Sequence, residues 1–132
     1  MDKKILRLIG KKYRAHGRGP DFYDCWGLAI TAAEILTEKK IPDYKLNPEE
    51  KEKNTILMRL AISDHEWERV PQEKIRPGVI IAFQLHAPGY ITHAGVAIGG
   101  RNFIQCTDKH GVTIESIKKY QKFIEGFYAY KG

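Results

Sequence analysis

Two residue types able to do nucleophilic chemistry stand apart in this chain. Cysteine occurs at positions 25 and 106, histidine at 16, 65, 86, 93 and 110. Cys25 lies in Asp24-Cys25-Trp26-Gly27-Leu28, where a Gly- and Pro-rich stretch gives way to a helical pattern. The attacking species of cysteine chemistry is the thiolate, and a free thiol titrates near pH 8.5. The first turn of a helix offers unpaired N–H groups and roughly half a positive charge, which stabilise an anion there. Cys25 therefore sits where an activated thiol belongs. A buried structural thiol is the competing reading of the same position.

A thiol nucleophile needs a base. His93 lies inside Ile91-Thr92-His93-Ala94-Gly95-Val96-Ala97-Ile98, a strand-like run. Alternation puts His93, Gly95 and Ala97 on one face and Thr92, Ala94, Val96 and Ile98 on the other. The small residues beside His93 leave room for a facing helix or a substrate. The other four histidines fall in loops or at element ends. A base needs an orienter to set its tautomer, and strand parity chooses between Gln105 and Cys106. A three-residue loop, Gly99-Gly100-Arg101, or an equivalent bulge, brings Gln105 opposite Gly95 on the His93 face. A clean two-residue turn brings Cys106 there instead. A Gln carbonyl accepts from imidazole well and a thiol does so poorly, so an odd loop and Gln105 are expected.

The elements that must hold these residues can be read from periodicity. Asp2 to Lys11 reads as a short helix, Lys12 to Tyr23 as a loop, and Asp24 to about Glu38 as a helix with Leu28, Ala32, Ile35 and Leu36 buried. A third helix is expected from Asn47, with Pro48 at its first position and Ile56, Leu57, Leu60 and Ala61 inward. Beyond Trp67 the period becomes that of strands: 67–70, 79–85, 91–98, 102–107, 112–115 and 127–130. Helices followed by an antiparallel meander predict an α+β fold. With 132 residues and no repeat or linker, a single domain over 1–132 is expected.

Composition excludes other classes. The formal charge of +6 is scattered and mixed with glutamate, so it marks a solvated surface better than a nucleic-acid stripe. No CxxC, HxxxH or HExxH pattern offers a metal site, and no GxxxxGK[ST] or GxGxxG run offers a nucleotide site. No metal, cofactor or nucleic-acid partner is therefore expected. The longest apolar stretch, Val79 to Phe83, is too short for membrane insertion, and the first residues lack a signal-peptide pattern. Cytoplasmic synthesis and reduced thiols are the corresponding expectations.

At this point the chain resembles the NlpC/P60 family of cell-wall cysteine peptidases, and within it the branch found among phage tail proteins. The resemblance is carried by Gly10 to Arg14, Gly17-Arg18-Gly19-Pro20-Asp21-Phe22-Tyr23-Asp24-Cys25-Trp26-Gly27-Leu28, Arg76 to Ile80, His93 to Ile98 and Phe103-Ile104-Gln105. It implies a papain-like fold, with the nucleophile helix packed on an antiparallel sheet. It implies hydrolysis of the γ-D-glutamyl-diamino acid bond of peptidoglycan stem peptides, possible association with other tail proteins, and action at the cell wall. Cys25 matches the family's nucleophile, His93 its base and Gln105 the third polar position. Tyr13 matches the tyrosine near the thiol, and Asp24 the acidic neighbour that holds the substrate's free amine. The chain departs from many members in carrying Trp26 where Ser is common, Gln105 where His is common, and His16-Gly17 where Gly-Gly is common. A tail component with weak or lost catalysis, and an amidase or acyltransferase on the same fold, are the alternative functions.

Overall fold

The structure is a computed structural model that describes residues 2–47 and 49–132. In chain order it contains α1 (Lys3–Leu6), β1 (Lys12–Tyr13), β2 (Phe22–Tyr23), α2 (Cys25–Thr37), α3 (Lys51–Ser63), β3 (Trp67–Arg69), β4 (Ile80–Phe83), β5 (His93–Gly99), β6 (Asn102–Thr107), β7 (Gly111–Ser116) and β8 (Ile124–Tyr130). Two 3-10 turns, Gln72–Lys74 and Lys118–Phe123, join strands. The six long-range strands form one antiparallel sheet in the order β3-β8-β4-β5-β6-β7. This is the expected α+β, papain-like architecture. Among the described residues no helix is long and apolar enough to cross a membrane.

The two faces of the sheet bury different clusters. On one, Leu28, Ala29, Ala32 and Ala33 of α2 pack against Ala94, Val96, Ile104 and Cys106. Small residues on both sides let helix and sheet approach closely. On the other, Phe83, Ala97, Phe103, Ile117 and Phe127 form a second cluster closed by Tyr120. Each strand of the centre is therefore apolar on both sides, which is why β4 reads as an unbroken hydrophobic run.

Three local expectations differ from what forms. The first helix stops after Leu6, since Leu8 and Ile9 reach back only to Ile5 and Leu6 and make tight turns rather than a continued ladder. The third helix begins at Lys51, not Asn47: the Asn47 carbonyl accepts the Glu50 N–H and closes a turn first. The expectation for Pro48 lies outside the described residues. The inward face of this helix is only partly the expected one: Leu57 is half-buried and Ala61 packs on the core. Ile56 and Leu60 are each 55% exposed, while Asn54 and Thr55 are buried. Finally, the loop around Tyr13 contains β1 and β2, a two-residue parallel pair too short to show any period.

Candidate active site

The β5–β6 connection is the expected odd geometry, reached through a bulge. Gly100 and Arg101 both have positive φ, 62° and 63°, as a two-residue hairpin turn of the primed type requires. The register then slips between Ala97 and Gly99, so Gly99 pairs with Asn102 while Ala97 pairs with Phe103. The extra residue restores parity, and Gly95 faces Gln105. His93 and Gln105 thus share a face, and the His93 Nε2–H donates to Gln105 Oε1 at 2.9 Å. The Gln105 amide donates in turn to the Tyr120 hydroxyl at 3.4 Å. With Nε2 occupied as a donor, Nδ1 of the neutral ring is left with its lone pair.

The face that His93 shares is not the one α2 covers. His93 lies beside Phe83, their ring centroids 5.3 Å apart, and with Phe103 and Gln105, whereas α2 lies on the face of Ala94 and Val96. The expectation that small neighbours of His93 make room for the helix is therefore corrected. Gly95 instead lies under Phe103, where a Cβ would meet its ring at 2.9 Å. The two faces meet at the start of β5. Pairing of β5 with β6 begins only at Gly95, which leaves Ala94 unpaired on the β6 side. Cys25 and His93 border one cavity of about 40 Å³ there.

Cys25 is placed by the way its helix begins. Asp24 caps α2, its Oδ1 accepting the Gly27 N–H at 2.7 Å. The same oxygen accepts from Arg18 Nη1 at 2.7 Å. The Arg18 fork also bonds both oxygens of Asp43, at 2.8 and 3.1 Å, and the Leu46 carbonyl at 3.1 Å. One guanidinium therefore ties the cap of α2 to the segment after it, and this pairing holds the Asp43 carboxyl below its usual range. The Trp26 indole N–H donates to the Asp43 carbonyl and adds a second tie. Gly27 is required by close approach: a Cβ there would lie 2.0 Å from the Gly17 carbonyl oxygen, which accepts the Asp24 N–H. Cys106 supports the same region, its thiol donating to the Tyr23 carbonyl at 3.3 Å. Both cysteines are free thiols.

Burial governs the charge state. Cys25 is raised from 9.0 to about 12, first by burial and then by the Asp24 carboxylate, against the N–H groups of Ala94 and Trp26. The helix terminus alone pointed to an acidic thiol; in this closed geometry desolvation and a like charge outweigh it. His93 is lowered by burial, with the Gln105 acceptor opposing. Thiol and imidazole both rest neutral at pH 7.

Tyr13 pairs with Tyr23 across β1 and β2 and is half-buried near the thiol. Its hydroxyl is raised by burial, then by Cys25 and Asp24. Asp24 has no exposed surface, and its Oδ2 has no hydrogen-bond partner among the described residues. What the geometry gives Asp24 is a cap and an ion pair. His16, His65, His86 and His110 are exposed, and none of them lines the cavity. Sequence reasoning missed Arg18, Asn54 and Thr55. Arg18 had a signal, a guanidinium between two glycines in the loop that precedes an acidic cap. Asn54-Thr55 had only a weak one, a polar pair amid apolar helix positions.

The NlpC/P60 family model matches residues 10–126. No curated protein matches the chain. Among solved structures, a NlpC/P60 family protein from Bacillus cereus is 19% identical with a TM-score of 0.69, over 97% of this chain and 38% of that one. NlpC1 from Trichomonas vaginalis is 22% identical with a TM-score of 0.65, over 95% of this chain and 42% of that one. The NlpC/p60 domain of the peptidoglycan hydrolase SagA is 16% identical with a TM-score of 0.66, over 96% and 92%. The chain thus spans under half the length of the first two and nearly all of the third. At these identities the likeness is one of fold.

Proposed function

The chain belongs to the NlpC/P60 family, and from that premise we propose that it is a cysteine peptidase of the cell wall, with Cys25 as nucleophile, His93 as base and Gln105 as its orienter. The observation that carries this reading is the cavity shared by Cys25 and a histidine whose Nε2–H is already held by Gln105. The ring is thereby set in the tautomer whose Nδ1 can take a proton.

The reaction is acyl transfer. As the thiol sulfur attacks the scissile carbonyl carbon, its proton passes to His93 Nδ1. Because both groups rest neutral, proton transfer accompanies attack instead of preceding it as a stored ion pair. The carbonyl oxygen takes up negative charge near the first turn of α2, whose Gly27 N–H is committed to Asp24; the Cys25 N–H is the donor nearest the sulfur, and Tyr13 is a further candidate. The C–N bond then breaks, His93 returns the proton to the leaving amine, and water splits the thioester with His93 again as base.

The substrate in this reading is the γ-D-glutamyl-diamino acid bond of a stem peptide. Asp24 serves the substrate's free amine only if opening of the Arg18 loop uncovers Oδ2. The DCWGL segment supports placement in the tail-associated branch, with cytoplasmic synthesis and delivery to the wall by other tail proteins. Mass spectrometry of muropeptides from purified peptidoglycan is the test: wild type releases stem-peptide fragments, and Cys25→Ala, still folded, releases none. Release by the variant at the wild-type rate ends the proposal. The buried thiol, 4% exposed, favours one second reading, a tail component with lost catalysis. That reading expects no thiol alkylation at neutral pH in the native protein.

A further inference from the structure

The cavity beside Cys25 carries information about the substrate that the catalytic residues do not. Its walls come from Trp26, Leu46, Met58, Ile80 and Ile91, and no Asp, Glu, Lys or Arg lines it. Two polar residues from outside the catalytic strand and helix line it, Thr92, whose hydroxyl is already engaged with the Phe83 and Leu85 carbonyls, and Asn54 of α3. Asn54 is 7% exposed. Its amide orientation is set from behind. Nδ2 donates to the Asn47 carbonyl at 3.0 Å and to the Ile91 carbonyl at 3.4 Å, which uses both amide hydrogens. Oδ1 is left buried and without a hydrogen-bond partner among the described residues.

A buried acceptor without a donor is costly, and a site built around one favours whatever supplies the missing N–H. The surrounding apolar walls set a second condition. A carboxylate entering them would lose its water with no cation to replace it. We infer that Asn54 is a specificity-determining residue, and that the group it selects is an uncharged carboxamide N–H donor next to the scissile bond, in place of a free carboxylate. The inference rests on the peptidase reading above. For a γ-linked glutamate the group is its α-carboxyl, so the preferred stem peptide is the one amidated at that position. The cavity's volume of about 40 Å³ suits a group of a few heavy atoms.

Three synthetic stem peptides that differ only at this group provide the test: the carboxylate, the primary carboxamide and the N,N-dimethylamide. The wild-type enzyme is expected to cleave the carboxamide with kcat/KM at least about tenfold above each of the others. Equal turnover of carboxamide and carboxylate overturns the inference. Equal turnover of carboxamide and dimethylamide also overturns it, since the cavity then reads neutrality and not an N–H. In Asn54→Leu the preference collapses toward unity, and a retained preference removes Asn54 from the role. Should that variant fail to fold, the wild-type ratios still decide. If Cys25 cleaves none of the three and forms no acyl-enzyme, the peptidase reading falls and takes this inference with it; cleavage without preference sinks the inference alone.

Discussion

The helices α2 and α3 are each 13 residues long, yet they are built for different tasks. The first is capped by a buried carboxylate and buries seven residues, from Cys25 to Ala33. The second has no side-chain cap, and its two buried residues, Asn54 and Thr55, are polar. The first is held by packing and charge. The second packs only partly buried side chains, Met58, Ala61 and Ile62, on the core, and hydrogen bonds tie it to one residue: Ile91 donates its N–H to Thr55 Oγ1 at 2.9 Å, and its carbonyl accepts from Asn54. Ile91 lies two residues before His93. A helix that carries a nucleophile must not move, because small errors in position are expensive in rate. A helix that walls a substrate cavity can be lightly docked, and lightly docked elements are the ones that open first.

Several measurements break or sharpen this contrast. The largest effect is on thiol reactivity at the head of α2. In His93→Ala, alkylation of Cys25 at pH 7 should fall about a hundredfold below the wild-type rate, because the base that takes the thiol proton during attack is gone. Fast neutral alkylation in the variant removes His93 as base. His93 adds an acid-side signature. Its folded value lies below 6.5, so the unfolded chain binds the proton more readily. Stability from this group is complete above about pH 6.5 and declines as pH falls below it, levelling off only under the folded value. Gln105→Leu, which deletes the acceptor that opposes this lowering, should deepen the acid-side decline, whereas His93→Leu should abolish it; urea melts between pH 4 and 8 report it.

For stability the order runs down from α2 to α3. Gly27→Ala drives a Cβ into the Gly17 carbonyl and should cost about 3 kcal/mol in urea unfolding. Arg18→Ala strands the fully buried Asp24 carboxylate, and should cost about 2 kcal/mol because Arg18 is itself partly exposed. Thr55→Val keeps the volume but leaves the Ile91 N–H without its acceptor, for about 1 kcal/mol. Ile56→Gln and Leu60→Gln, on the exposed side of α3, should fall within about 0.5 kcal/mol. Native-state hydrogen exchange completes the comparison: amides of α3 should exchange before those of α2. The reverse order would mean that α3 is part of the rigid frame.

Much of this was legible in the chain. The pattern around Cys25 announced a helix that starts at the nucleophile. Strand parity alone points to Gln105, because only two parities exist and only one places a good acceptor beside His93. The bulge at Ile98 delivers that parity. The face of His93 was not legible. Alternation says which residues share a side of a strand and is silent on which side a distant helix will choose. The α3 face failed for a related reason: apolar spacing predicted Ile56 and Leu60 inward, and hydrogen bonds to Ile91 turned the helix so that Asn54 and Thr55 point in.

The sequence by itself determined the elements, the order in which they follow, the residues able to do thiol chemistry, and the pairing of His93 with Gln105. Those depend on period, parity and side-chain chemistry, all local properties of the chain. The tertiary structure alone decided that the thiol is buried and neutral, that Arg18 ties its helix cap to Asp43, 25 residues from Arg18, and that Asn54 and Cys25 line one apolar cavity. Burial and electrostatic environment are sums over neighbours that are remote in sequence, so no window of residues, however well read, contains them.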